Sequence, residues 1–85
     1  MAKVRKTKIE LAVMEKVTKM RLAKGFSQDD IAAILECSRG YVGQIESPKN
    51  PSTYNLTHLN RLAYEFECSL HDLIPKQPVV DPDWD

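Results

Sequence analysis

The apolar positions of this chain recur at helical spacing. Ile9, Val13, Val17 and Met20 follow one another at steps of four, four and three, forming one stripe on a helix predicted from about Lys8 to Lys24. Thr7, with Glu10 three residues later, makes a start at which each side chain satisfies a free backbone N–H, and Gly25 supplies the left-handed residue that ends the helix. Ser27 opens a second helix as its N-cap. Asp29 and Asp30 then stand against the positive helix end, and Phe26 and Ile31 have the spacing of a hydrophobic staple. Ser38 repeats the arrangement, with Cys37 and Val42 as the staple pair, so that only Glu36 and Cys37 separate the second helix from a third. The third is expected to end at Ser47, because Pro48, Asn50 and Pro51 mark an irregular loop reaching about Tyr54. Asn55 caps a fourth helix whose apolar face is Leu56, Leu59, Leu62, Ala63 and Phe66. Glu67-Cys68-Ser69 repeats Glu36-Cys37-Ser38 ahead of a short fifth helix carrying Leu70, Leu73 and Ile74, which Pro75 and Pro78 stop. The expected fold is all-α, five helices in one domain over 1–75, with a helix-turn-helix at about 27–47, a flexible basic arm at 1–6 and an acidic, Pro- and Trp-containing tail at 76–85.

Eighty-five residues with 42% hydrophobic content suit one modest core and leave no room for an elaborate active site. The N-terminal MAKVRK is followed by charged residues where a secretory signal needs its apolar region, so a cytoplasmic protein with no membrane partner is expected. Cys37 and Cys68 each lie between an acidic residue and a serine at a helix junction, where a small reduced thiol fits the core. A zinc site built from Cys37, Cys68, His58 and His71 has ligand-like spacing only between Cys68 and His71, and no metal or other cofactor is expected. No serine, cysteine or carboxylate has a recognisable activating partner, which argues against an enzyme.

Net charge is zero, which on its own argues against a nucleic-acid partner. The distribution changes that picture. Residues 1–24 hold eight Lys or Arg against two Glu, whereas residues 76–85 hold one Lys against three Asp. Lys3, Arg5, Lys6 and Lys8 read either as a disordered basic end or as an arm that contacts phosphate or the minor groove. In the tail, Pro78, Pro82 and three Asp read by default as a floppy solvated end, while Trp84 between Asp83 and Asp85 suits a segment that docks, on self-association or on a protein partner.

Taken in order, Arg21, Gly25-Phe26-Ser27-Gln28, Ile31-Ala32, Leu35, Cys37-Ser38, Val42, Ile45-Glu46 and Asn50-Pro51-Ser52 resemble the Cro and lambda-repressor (XRE) helix-turn-helix family. The resemblance covers roughly Val17 to Ile74. It implies a five-helix domain in which the start of the third helix enters the major groove of double-stranded DNA while the second lies across the backbone. It matches Gln28 to a residue that holds a phosphate and puts Arg39, Tyr41 and Gln44 at positions that touch base edges, beside Ser38 at the helix start. Arg21 and Glu46 match an ion pair between the first and third helices, and Lys49 and Asn50 fall where the following loop meets phosphate.

The chemistry of these residues agrees, since Arg can fork onto guanine N7 and O6 and Gln can pair with adenine N6 and N7. Tyr41 can pack on a thymine methyl or bond a phosphate. Three departures from the family pattern stand out. Glu36 occupies a left-handed position usually held by Gly, at about 1–2 kcal/mol for a residue with a Cβ. Gly40 and Gly43 replace side chains in the third helix at about 1 kcal/mol each relative to Ala, for which close backbone approach to DNA is the preferred reason. Ser47-Pro48 replaces a polar-Gly pair and shortens the loop by a residue. Two function classes stay open: a regulator, a repressor in the first instance, that occupies a short operator as a homodimer, and an antitoxin or adaptor whose acidic tail binds a protein partner.

Overall fold

The computed structural model describes residues 5–84; Lys3 of the basic arm and Asp85 of the tail lie outside the described residues. Four α-helices follow in order: α1 Lys8–Lys24, α2 Gln28–Leu35, α3 Arg39–Ile45 and α4 Leu56–Phe66. No strand occurs among the described residues, and no helix is long and apolar enough to cross a membrane.

Each helix starts where a local side chain can take a free N–H. Thr7 accepts from the Glu10 amide and Ser27 from the Asp30 amide, and in both cases the carboxylate three residues on returns the bond. Ser38 accepts from the Tyr41 amide, and Asn55 accepts from the His58 amide while His58 Nδ1 accepts from the Asn55 N–H at 3.2 Å. Val17, Ile31, Val42, Ile45, Leu62, Phe66 and Leu73 are the largest fully buried side chains, so every helix sends at least one residue to a single centre. The stripe on α1 is narrower than its spacing suggests: Val13, Met14 and Val17 are buried, but Ile9 stands 44% exposed. Phe26, between α1 and α2, lays its ring on Phe66 with centroids 5.4 Å apart and planes tilted by 59°.

The fifth helix is a correction. Leu70–Leu73 form one turn of 3-10 helix capped by Ser69, and Ile74 is already extended at φ −130° and ψ 151°. Pro75 disfavours the helical region for the residue before it, which leaves four residues, too few for a run of i to i+4 bonds. α3 also ends two residues early. Glu46 is its C-cap, and Ser47 N–H bonds back to the Gln44 carbonyl at 3.2 Å in a tightened last turn.

Glu36 does take the left-handed conformation, at φ 56°, and Glu67 takes it too, at the same φ. Both close the helix before them in the same way. The Cys37 and Cys68 amides reach the Ala32 and Ala63 carbonyls at 2.9 and 3.0 Å, while the two Glu amides bond Ala33 and Tyr64. The bonds survive at the expense of a strained backbone. Glu36→Gly and Glu67→Gly are therefore expected to stabilise the fold by roughly 0.5–1 kcal/mol each, read as a shifted urea midpoint with unchanged slope. A second expectation concerns His58, whose pKa burial holds below the ordinary histidine value. The unfolded chain then binds the proton more readily, so this contribution to stability is present above about pH 6.5 and lost as pH falls below it. Denaturation of the native protein and of His58→Gln at about pH 7 and about pH 5.5 should show the native losing more on acidification.

Candidate nucleic-acid interface

α2 and α3 pack against each other across the Glu36-Cys37 turn, and α3 turns Val42 and Ile45 into the core. At about 100° per residue, Gly40 and Gly43 then fall in the middle of its outer face, with Arg39 and Gln44 flanking them about 140° apart. The glycines are not forced by the chain. A Cβ at Gly40 would meet only Ser38 Oγ at 3.9 Å, and one at Gly43 only Gln28 Oε1 at 4.0 Å, both ordinary contacts. The result is a bare strip of helix backbone between two polar side chains.

Arg39 leans toward Asp29 on α2 with Nε 3.7 Å from Oδ1, but the side chains are 66% and 75% exposed, so solvent screens the pair and either partner is readily released. Gln44 is exposed; its Oε1 accepts a long 3.5 Å bond from Ser52 Oγ. Ser38 spends its hydroxyl on the α3 cap, and Tyr41 is half-buried against the core. In the following loop Lys49 is exposed, while Asn50 Oδ1 is bonded by the Ser52 N–H at 2.9 Å.

Behind this face lies a polar knot. Arg21 Nε and Nη2 donate to the two Glu46 oxygens at 2.7 and 3.0 Å, Nη1 donates to the Phe26 carbonyl at 2.9 Å, and Gln28 Nε2 donates to Glu46 Oε1 at 2.9 Å. The Arg21 and Glu46 side chains are only 10% and 8% exposed. One carboxylate thus ties α1, α2 and α3 together. Tyr54 is buried beside it, and burial first, then the Glu46 charge, pushes its phenol well above the ordinary tyrosine value.

Lys6 departs from the expected arm. Its side chain is buried, and Nζ donates to the carbonyls of Asn50, Ser47 and Gln44 at 2.6, 2.7 and 3.4 Å. Its ammonium is thus engaged with the protein's own carbonyls, whereas Arg5 and Lys8 are exposed. Asp81, Pro82 and Asp83 of the tail line an open cleft with Arg5, Lys8, Leu11 and Pro48, and Trp84 stands 61% exposed. Cys37 and Cys68 are free thiols whose pKa values burial raises, and among the described residues no group of three or more His, Cys, Asp or Glu is placed to hold a metal.

Two contacts here had no sequence signal. Lys6 reaches partners 38, 41 and 44 positions away, and Gln28 reaches Glu46 across 18, distances at which no local periodicity speaks.

A capped α2, a tight turn and an α3 with an open outer face define the helix-turn-helix architecture of transcription regulators, and the resemblance to the Cro and lambda-repressor (XRE) family holds at the level of the fold. Among solved structures, the chain is similar to the restriction-modification controller protein C.AhdI from Aeromonas hydrophila, at 26% identity and a TM-score of 0.60, over 75% of this chain and 96% of that one. It is also similar to the hypothetical transcription factor NHTF from Neisseria, at 22% identity and a TM-score of 0.62, over 89% and 85% of the two chains. No protein-family model and no curated protein sequence matches the chain.

The knot carries a direct expectation for stability. Removing either member of a buried pair strands the other, so Arg21→Ala and Glu46→Ala should each cost about 3–5 kcal/mol. The double variant should cost much less than the sum, which a double-mutant cycle in thermal or urea denaturation measures. Small, additive effects would mean that the side chains are solvated rather than paired.

Proposed function

We propose that this protein is a DNA-binding transcription regulator that reads a short duplex site through α3. The observation that carries the proposal is the outer face of α3, where Gly40 and Gly43 have room for side chains within the chain yet carry none. A helix that gives up about 1 kcal/mol at each such position without an internal reason is shaped for close approach by an outside surface. A major groove fits that strip. Arg39 then meets a guanine edge and Gln44 an adenine edge, with Ser38 and Tyr41 at the groove mouth. Gln28 keeps one amide hydrogen on Glu46 and has a second for phosphate, joined by Lys49 and Asn50 from the loop.

Likeness to a restriction-modification controller, and in fold to a hypothetical transcription factor, supports a regulatory role, and a cytoplasmic location belongs to the same proposal. In this reading the protein works as a repressor by covering a promoter site as a homodimer, for which α4 offers Leu56 and Tyr64, 70% and 77% exposed and on one face at i and i+8. The adaptor reading rests on Trp84 alone, an exposed aromatic on the acidic tail.

Selection from a random duplex pool, followed by footprinting, is expected to return a two-fold symmetric site with half-sites about one helical turn apart. Recovery of no enriched sequence at moderate salt would end the regulator reading. On the selected site, Arg39→Ala and Gln44→Ala should each cost about 1–3 kcal/mol and relax one base pair, whereas Gln28→Ala should weaken all duplexes alike. Gly40→Ala separates the two demands on α3: it should stabilise the free protein by up to about 1 kcal/mol while weakening the site. Tighter binding by that variant would show that the glycine strip does not face the groove.

A further inference from the structure

We infer that Lys6 is a positioning residue for base readout: its ammonium clamps the C-terminal end of α3 and the Ser47–Asn50 turn, and thereby sets where Gln44 and the loop stand against a duplex. The inference rests on α3 being the reading helix. Three carbonyls, from Gln44, Ser47 and Asn50, converge on Nζ at 3.4, 2.7 and 2.6 Å. The carbonyl end of a helix carries partial negative charge, so a buried cation is stabilised there as no neutral donor would be.

α3 needs such a tie. It has seven residues, two of them glycine, and its last turn is already tightened by the Ser47 amide bond to Gln44. Among the described residues the Gln44 side chain has only the long bond from Ser52, so its backbone, not a side-chain partner, decides where its amide points. Lys6 immediately precedes the Thr7 cap of α1, a helix of 17 residues, and Arg21 near the other end of that helix holds Glu46. The longest rigid element of the fold thus grips the end of the reading helix at two points, one by backbone and one by side chain. In the free protein Lys6 is buried, with its ammonium on these carbonyls rather than at the surface.

The test compares the full chain with Lys6→Met, which keeps the apolar length and removes the charge, and with Lys6→Arg, which restores a donor. In the free protein, exchange of the Ser47 and Asn50 amides should speed up about tenfold in Lys6→Met while core amides of α4 keep their protection. On DNA, the ratio of affinity for the selected site over random duplex should fall about tenfold, with random-duplex affinity changed by no more than about twofold, and Lys6→Arg should recover most of the ratio. Should Lys6→Met prove too unstable, Lys6→Gln is expected to show the same loss of ratio. Unchanged exchange would mean that Lys6 does not hold the turn, and faster exchange with an unchanged ratio would leave it a purely structural residue; either result overturns the inference. If the native protein itself selects no site, the regulator reading fails, and this inference with it, before any variant is compared.

Discussion

A seven-residue helix with two glycines does not hold itself, since isolated helices shorter than about 12–15 residues are marginal even in favourable sequences. What fixes α3 is the Glu46 carboxylate at its end, shared by Arg21 from α1 and Gln28 from α2. A buried charge pair of this kind adds little to net stability once desolvation is counted, but its geometry is strict. The two guanidinium nitrogens accept only one orientation of the carboxylate plane, and that plane belongs to the residue capping α3. The direction of α3 is therefore inherited from α1, through a contact that a hydrophobic replacement would not reproduce.

This arrangement divides the surface of α3. Its anchors lie at its ends or behind it: Ser38 at the start, Lys6 and Glu46 at the finish, Val42 and Ile45 beneath. None lies on the outer face. Arg39, Gly40, Gly43 and Gln44 can change with little penalty to the fold, which is the condition a family of proteins needs if related members are to recognise different sequences on one scaffold.

What could be read from the sequence was local. Thr7, Ser27, Ser38 and Asn55 cap partners three residues away, so a short stretch of sequence contains the whole interaction. The repeated Glu-Cys-Ser triplet likewise announces two junctions, and both adopt the same left-handed closure. The fifth helix failed where two local rules competed: the apolar spacing of Leu70, Leu73 and Ile74 favoured a helix, but Pro75 had already removed its last residue. The pairing of Arg21 with Glu46 came only through family resemblance, because 25 positions separate the two. Lys6 was missed for a related reason. Its run of basic neighbours describes a solvated end, and nothing in that run marks Lys6 as a lysine whose ammonium meets three carbonyls.

The charge balance gives rigidity its functional weight. Net charge is zero, and Asp81 and Asp83 of the tail line the same open cleft as Arg5 and Lys8 of the basic head. Phosphate attraction supplies most of the sequence-independent part of DNA binding, and a chain without a basic surplus has little of it. On the proposed function, affinity must then come from contacts in the groove, which depend on distance and angle far more steeply than attraction to a phosphate does. Groove contacts made by a loosely held helix would be averaged away. On that proposal a neutral domain requires a firmly seated α3, and the two cations that α1 and its leading residue spend inside the protein, Arg21 and Lys6, are the ones that seat it.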